Sequence, residues 1–495
     1  MYNCSMSKVK LLASAREVFD ERQVIRLERA VEVAARAHEG QRRASGEKYI
    51  AHPLAVAELL MEWRMDIDTV VAGVLHDALE DTELEIREIE EEFGMVVAFL
   101  VDGVTKLGIA RSGMREIDSY LPATRDNLTK LLIALGQDIR VVVIKLADRL
   151  HNLRTLKHLP AGKQKKIAKE SLEVFAPLAD KLNMGRVRVE IEEISFSYID
   201  RARYEYLKGQ SKRYLGRASG KLARARAGIE EVLKREKIEY EMDGRVKSIY
   251  SLHKKLAKTG ENLDAIYDLI ALRIIVEDKT DCYLALGLIH AIYRPMVARI
   301  KDYIAVPKQN GYQSLHTTVI TPDEYIVEFQ VRTREMHEYA ERGLAASFHY
   351  NEQKLTDAYA QGKIAAMPAN LHWIHDLQKA AALIGAGEEV DLEKMKLSMF
   401  RDRIFVFSPK GDIFDLPEGA TVLDYAYRVH TDIGDTAYAF RVNGKIVKFD
   451  EEVKSGDVVE VVTRKDKRPN VDWLGKVKAR GTKGKIRKRL KEGRE

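Results

Sequence analysis

From Val9 to about Glu205, apolar residues recur at three- and four-residue spacing with Pro and Gly only sparsely interposed, which predicts an all-helical region. Asp68 to Leu79, Val96 to Val104 and Asp138 to Leu153 are apolar nearly all round, as helices at the centre of a bundle are. The texture changes from about Arg213. A charged amphipathic helix, Lys221 to Lys237, leads into alternating stretches at Leu269 to Val276 and Tyr325 to Thr333, with a further helix at Cys282 to Tyr293 between them. In the last stretch Val327, Phe329 and Val331 share one face and Ile326, Glu328, Gln330 and Arg332 the other, which predicts a core face and a solvated face. This mixture reads as an α+β domain.

Residues 353–400 return to helical texture, with Trp373 and Leu377 on one face, and read as a connector. From Asp402 the pattern is one of short strands and tight turns: RIFVFSPKGDIFDLP, an apolar helix around Val422 to Val429, and YAFRVNGKIV with Asn443-Gly444 as its hairpin turn. The expected organisation is therefore multidomain. An all-α helical bundle over 1–200 precedes an α+β domain over 201–352 with a leading helical linker. The helical connector over 353–400, a small β-grasp-like module over 401–463 and a basic stretch over 464–495 follow.

Composition narrows the classes. With 495 residues, 45% apolar and 32% charged, the chain is large enough for about three folded domains. No apolar run approaches the roughly 18 residues of a membrane helix, and the N-terminal stretch is too interrupted by charge to be a secretory signal, so no membrane association and a cytoplasmic location are expected. Cys4 and Cys282 lie far apart and outside any CxxC pair, which leaves His and carboxylates as the ligands of any metal. The net charge of +6 is uneven: residues 464–495 hold 14 Lys and Arg against 4 Asp and Glu, leaving 68 basic and 72 acidic residues before them. Such a stretch is either a solvated end or a contact for a polyanion such as RNA.

In the helical half, His76-Asp77 follows the apolar run VVAGVL and precedes Glu80-Asp81. On one helix Glu80 would lie a turn above His76, and Asp81 a turn above Asp77. Ionisable groups at the edge of a buried helix are costly unless paired or bound to a cation. A second apolar helix brings Asp148 into the same setting, and His52 opens a third before Pro53. Two imidazoles with two carboxylates suit manganese, iron or zinc better than calcium or copper. A lone His-Asp pair arises by chance in many proteins, but the three helix edges together resemble the HD superfamily of metal-dependent phosphohydrolases.

The mixed half carries a basic run, Gly244 to Ser251 with Lys254-Lys255, and a loop, VPKQNGYQSLHTT, that gathers Lys308, Asn310, Tyr312, Gln313, Ser314 and His316 around one glycine. Asp268 stands at the entry of one strand and Glu328 on another. Two carboxylates among many cations describe a phosphoryl-transfer site in which magnesium and basic side chains neutralise a polyphosphate. No Walker-type loop is present.

These motifs, in this order, resemble the long RelA/SpoT homologues, the bifunctional enzymes that make and destroy (p)ppGpp. The resemblance covers nearly the whole chain and rests on RRASGEKYIAHPLAVA, VLHDALEDT, KLADRLHNLRTL, YDLIALRIIV, KDYIAVPKQNGYQSLHTTV and VEFQVRT. The C-terminal module resembles a TGS domain. The resemblance implies an HD-type hydrolase in which His52, His76, Asp77 and Asp148 hold Mn2+, Glu80 and Asp81 serve the attacking water, and Arg43, Ser45, Asn152 and Thr155 bind the nucleotide. It implies a nucleotidyltransferase-like synthetase that transfers pyrophosphate from ATP to the 3′-hydroxyl of GDP or GTP. There Asp268 and Glu328 would bind Mg2+, and Glu328 would also activate the hydroxyl. Tyr312 would stack on guanine, and Arg245, Lys247, Ser251, Lys255, Lys308 and His316 would hold ATP and the phosphates, with Asn310 and Gln330 contributing.

Arg299-Ile300-Lys301-Asp302 matches the basic motif of bifunctional members, and His430 matches a TGS residue that contacts tRNA, so ribosome or tRNA contact is an expected partnership. The chain departs from the family at Ala44, often lysine, and at Asp180, usually histidine. The later regulatory domains of long members do not follow, which reads as a natural short form or a truncation. Two other readings remain open: a one-sided enzyme whose second domain senses nucleotide, and a ribosome- or tRNA-binding stress regulator.

Overall fold

The structure, a computed structural model, describes residues 4–112, 138–258, 269–308, 310–343, 403–409, 412–454, 456–464 and 466–492. The expected connector 353–400, with Trp373 and Leu377, and the candidate ligand Asp268 lie outside the described residues. The chain forms two compact units, Met1–Val390 and Asp391–Glu495.

The first unit opens with helices α1 (Cys4–Arg16), α2 (Glu21–Ala37), α3 (Ala51–Glu62), α4 (Ile67–Leu75), α5 (Ala78–Asp81), α6 (Ile86–Phe93), α7 (Met95–Ser112) and α8 (Ile139–Arg154). α4 packs against α2, α3 and α7, and α8 against α3 and α7, so the three segments read as apolar all round, in α4, α7 and α8, pack on one another. Gly73 lets α4 approach α3 closely: a Cβ there would sit 2.3 Å from Leu60 Cδ1. Asp66 and Asp138 cap α4 and α8 through Thr69 N and Arg140 N, and the buried Arg140 guanidinium joins the two caps, reaching Asp66 Oδ1 at 3.1 Å and Asp138 Oδ2 at 2.9 Å. This ion triad fixes the start of both site-bearing helices.

The uninterrupted helix expected through His76 to Asp81 is broken. α4 ends at Leu75, His76 caps it, and Asp77 precedes the short α5. The break turns both side chains toward α3 and α8.

Beyond the bundle, α9 (Ala161–Glu170) continues through one π-helical turn, Ser171–Phe175, into α10 (Ala176–Lys181), followed by α11 (Gly185–Ile199) and α12 (Arg201–Arg235). The amphipathic helix expected over Lys221 to Lys237 is the C-terminal half of this 35-residue helix. The α+β part then runs β1 (Tyr240–Val246), α13 (Ile249–Lys258), β2 (Ile270–Val276), α14 (Lys279–Ile292), β3 (Arg294–Pro295), β4 (Lys301–Asp302), β5 (Leu315–Ile320), β6 (Ile326–Thr333) and α15 (Arg334–Arg342).

These strands form one mixed sheet in the order β1-β2-β6-β5-β3, with β4 also on β5. β2 and β6 are parallel and the other pairs antiparallel. One face, with Leu272, Ile274, Phe329 and Val331, packs on Ile229 and Leu233 of α12 and on Cys282, Ala285 and Ile289 of α14. The opposite face is polar, as the alternation predicts, but recessed: Glu328, Gln330 and Arg332 are 9%, 4% and 2% exposed. β6 is central in the sheet, so its polar side chains are flanked by those of β2 and β5.

The second unit holds β7 (Arg403–Phe407) paired with β8 (Ile413–Pro417), α16 (Val422–Val429), α17 (Thr431–Asp435) and a sheet of β9 (Ala437–Val442), β10 (Lys445–Val447) and β11 (Val459–Thr463). Asn443 and Gly444, both at positive φ, make the predicted hairpin turn between β9 and β10. The basic stretch is not a free tail. It forms α18 (Trp473–Lys476) and α19 (Arg480–Glu492), and Trp473, Val477 and Ile486 are buried with Tyr425 and Phe440. Among the described residues no helix is long and apolar enough to cross a membrane.

Candidate active sites

In the helical half, His52 comes from the first turn of α3, His76 and Asp77 from the α4–α5 break, and Asp148 from the middle of α8. Ligand atoms of His52, His76 and Asp148 all lie within 4.8 Å of one another. Asp77 reaches them too, with Oδ1 3.1 Å from His76 Nε2 and Oδ2 3.4 Å from His52 Nε2. His76 Nδ1 is 2.8 Å from Gly73 O, and because a carbonyl only accepts, the proton belongs on Nδ1 and the Nε2 lone pair faces the cluster. That Nε2 is buried without a hydrogen bond: Asp77 Oδ1 is near but out of line. An orphaned imidazole nitrogen among two buried carboxylates and a second imidazole is a donor set that fits a divalent cation of the manganese, iron or zinc type.

Electrostatics match that fit. Burial works against a charged His76, yet Asp77 and Asp148 outweigh it and push its pKa up. Burial would raise Asp148, but Lys145, His52 and His76 hold it well below the usual carboxylate range. His52 is pushed down by burial. Its Nδ1 meets His151 Nδ1 at 2.7 Å, and burial and His52 push His151 down to about 3, so the outer ring is neutral at pH 7.

Asp81 is tied to Tyr49, whose hydroxyl donates to Asp81 Oδ2 at 2.6 Å. Glu80 is exposed over much of its surface, yet partial desolvation of its carboxyl, opposed by Lys145, raises its pKa. On the far side Arg43 Nη2 donates to Asn152 Oδ1 at 2.6 Å, and Asn152 Nδ2 in turn donates to Asp148 Oδ1. Arg43 Nη1 is buried with no hydrogen-bond partner, a donor left for an incoming group. Thr155 closes the end of α8, its hydroxyl on the His151 and Asn152 carbonyls, and Ser45 turns its hydroxyl to Glu47. Sequence reasoning missed Tyr49, Lys145 and His151. The signal was there: Tyr49 stands three residues before His52, and Lys145 and His151 stand three to either side of Asp148 on its helical face.

In the mixed half, strand register builds the site. Arg245, Ala271, Glu328 and Thr318 form one row across β1, β2, β6 and β5, and Asp243, Arg273, Gln330, His316 and Lys301 a second row two residues on. The first row and Gln330, His316 and Lys301 of the second floor a cavity of about 540 Å3, which Lys247, Lys255, Arg299, Tyr303 and Lys308 also line. Glu328 is the one carboxylate among its lining residues, facing six Lys and Arg. His316 Nδ1 is 3.1 Å from Glu328 Oε1, and Gln330 Nε2 donates to the same oxygen at 2.9 Å. Burial lowers Lys308, with Lys301, Arg188 and Arg245 adding to the effect and Asp180 opposing it. Crowded, desolvated cations with one carboxylate suit a polyphosphate and its metal.

Several predicted residues sit outside that lining. Tyr312 bonds His316 Nε2 through its hydroxyl at 2.9 Å. Ser251 bonds Ser248 in the first turn of α13. Asp302 faces away, accepting from Tyr283 Oη, Ile304 N and Ala305 N. Asn310 donates to the Asp180 carbonyl instead of pointing into the cavity. In the second unit His430 is exposed and caps α17, accepting from Asp432 N.

A buried His/Asp cluster in a helical bundle, a cation-lined cleft on a mixed sheet and a small unit of short strands and helices define a chain with two separate polar sites. Family models match in the same order: an HD domain over residues 30–185, a region found in RelA/SpoT proteins over 244–355 and a TGS domain over 404–463. The chain is 41% identical over 471 residues to the bifunctional (p)ppGpp synthase/hydrolase SpoT of Escherichia coli K12, covering 95% of this chain and 65% of that one. It is 40% identical over 466 residues to a GTP pyrophosphokinase of Myxococcus xanthus (94% and 60% covered) and 41% over 494 to a probable GTP pyrophosphokinase of Mycobacterium leprae (98% and 61%). The chain thus belongs to the RelA/SpoT family, and it spans 60%, 61% and 65% of the length of these three relatives.

Proposed function

We propose that the chain is a bifunctional enzyme of alarmone metabolism, making (p)ppGpp from ATP and GDP or GTP at the mixed-sheet site and hydrolysing it to GDP or GTP plus pyrophosphate at the HD site. The observation that carries the reading is that one unit holds both constellations: four converging ligands with an uncommitted His76 Nε2, and a Glu328 carboxylate facing six cations across one cavity.

In synthesis, the 3′-oxygen of the acceptor forms a bond to the β-phosphorus of ATP while the bond from that phosphorus to the α-phosphate side breaks, releasing AMP. Glu328 takes the hydroxyl proton. Arg245, Lys247, Lys255 and Lys308 neutralise the moving charge, and Tyr312 offers a ring to guanine. Mg2+ would be held by Glu328 together with Asp268.

In hydrolysis, His52, His76, Asp77 and Asp148 would hold Mn2+, which when bound polarises a phosphoryl oxygen and acidifies water. Asp81 orients that water and Glu80, with its raised pKa, takes the proton. Arg43 and Asn152 hold the nucleotide against the site.

The exposed His430 and the exposed cations Arg487 and Lys488 of α19 support a ribosome or tRNA contact through the second unit, whose binding would weaken steeply with salt.

A paired assay tests the enzyme reading: ATP plus GDP with Mg2+, and ppGpp with Mn2+, for the wild type, His76→Ala and Glu328→Ala. Each variant is expected to lose only its own reaction. A wild type silent in either reaction overturns the bifunctional assignment and favours a nucleotide sensor in that half.

A further inference from the structure

We propose that Tyr49 is a positioning residue of the HD site, its hydroxyl holding the Asp77 and Asp81 carboxylates at the spacing the metal and the attacking water need. The inference deepens the hydrolase reading above and rests on it.

The hydroxyl lies 3.0 Å from Asp77 Oδ2 and 2.6 Å from Asp81 Oδ2. A phenol carries one proton, so a single hydrogen is shared between two carboxylates that would otherwise repel each other. A tyrosine phenol ordinarily loses its proton only near pH about 10, so the hydroxyl is a donor at neutral pH. One of these carboxylates belongs to the ligand set and the other to the water side. Their relative position is therefore set by a group that is neither.

The ring itself is held. It stacks on His38 with centroids 4.6 Å apart and planes at 20°. His38 Nδ1 is 2.9 Å from Gln41 Oε1, Gln41 Nε2 donates to the Asp81 carbonyl at 2.8 Å, and Tyr49 N donates to the Gln41 carbonyl at 3.1 Å. Asp81 is thus gripped at both its main chain and its side chain from the segment between α2 and α3. The Arg43 guanidinium lies over the same ring, 5.8 Å from its centroid, and continues through Asn152 to Asp148. Tyr49 therefore joins the nucleotide-binding arm to the carboxylates. A tyrosine that merely filled space would need none of these polar contacts.

The test compares the full-length wild type with Tyr49→Phe, reading ppGpp kcat and KM, Mn2+ affinity by calorimetry, the Mn2+ electron paramagnetic resonance spectrum, and synthetase rate. Loss of an outer partner of a metal ligand changes affinity or activity by about 10–100-fold. Tyr49→Phe is expected to lower kcat and weaken Mn2+ binding by about that factor, alter the Mn2+ spectrum and leave the synthetase rate unchanged. KM should stay within about twofold, because the ring that supports Arg43 remains. Wild-type kcat and Mn2+ affinity in Tyr49→Phe overturn the proposal, as does loss of synthetase activity, which would make the hydroxyl a folding element. A wild type that binds Mn2+ but leaves ppGpp intact sinks the hydrolase reading instead, and the Mn2+ affinities of the two proteins still decide the role of Tyr49. A wild type that does not bind Mn2+ overturns both.

Discussion

The side-chain amide of Asn310, in the nucleotide loop of the mixed half, donates to the main-chain carbonyl of Asp180, at the end of α10, at 2.9 Å. Around this bond the turn between α10 and α11 is fitted against the synthetase half. Asn183 Nδ2 donates to the Tyr339 carbonyl at 3.0 Å, and Tyr339 Oη donates to the Asn310 carbonyl at 3.4 Å. The helical half therefore supports the loop that carries Lys308 and Tyr312.

Gly343 tests that support. It has φ +64°, and a Cβ there would lie 2.1 Å from Leu182 O and 2.7 Å from Asn183 C, both main-chain atoms that cannot rotate away. Gly343→Ala is expected to cost about 1–3 kcal/mol in strain and separate the turn from α15. The KM for the guanine acceptor should rise and the ratio of synthesis to hydrolysis should change. Initial rates of both reactions with a urea midpoint check this; unchanged values for all three would show that the contact carries no coupling.

Arg140 is the next sensitive point. Removing one partner of a buried ion group leaves uncompensated charge and costs about 3–5 kcal/mol. Arg140→Met would leave Asp66 and Asp138 buried with no cation between the caps of α4 and α8. Hydrogen exchange should speed up in those two helices and hydrolysis should fall, while synthetase rates hold. Exchange that speeds up equally across β2 and β6 would contradict the local role given to the triad.

The two sites differ in how much of them the chain alone discloses. His52, His76, Asp77 and Asp148 could be read because each sits at the edge of an apolar helix, where a charged side chain needs a reason. Tyr49, Lys145 and His151 left only a spacing signal, because that spacing shows a shared face, while the partners of Tyr49 and His151 come from distant parts of the chain. The β6 alternation correctly divided Val327, Phe329 and Val331 from Glu328 and Gln330 but could not show that the polar face is the floor of a recessed cavity with its side chains mostly covered. Alternation reports which residues share a face, and only the neighbouring strands and loops decide whether water reaches it. Asn310 shows the same limit. Its place in a donor-rich loop suggested a ligand, whereas its amide is committed to Asp180.

In the second unit, Asp424 holds the basic stretch. Its carboxylate caps α16 at Thr421 and also accepts from Lys478 N at 2.9 Å and Ala479 N at 3.2 Å. Asp424→Ala would leave the buried Thr421 N without its partner, at about 1–3 kcal/mol, and untie Lys478 N and Ala479 N, freeing the segment that follows. Trypsin should then cut within 478–492 much faster than in the wild type, with both catalytic rates unaffected. Unaltered cleavage would mean that Trp473, Val477 and Ile486 suffice to hold the segment.

Cys282 gives a pH-dependent check on the packing of α14. Its thiol is fully buried against the sheet, and burial first, then Asp278 and Asp281, pushes its pKa up to about 12. Since only the thiolate attacks, and at pH 8 it would be about one part in ten thousand, raising the pH from 7 to 9 should leave Cys282 unalkylated in the folded chain. Unfolding removes both the burial and the acidic neighbours, returning the thiol to its ordinary range and exposing it. Iodoacetamide treatment followed by peptide mass spectrometry separates the cases. Modification of Cys282 in the native protein at the rate of a free thiol would mean that α14 does not close over the core face of β2 and β6, and the register that builds the cation-lined cavity would lose its support.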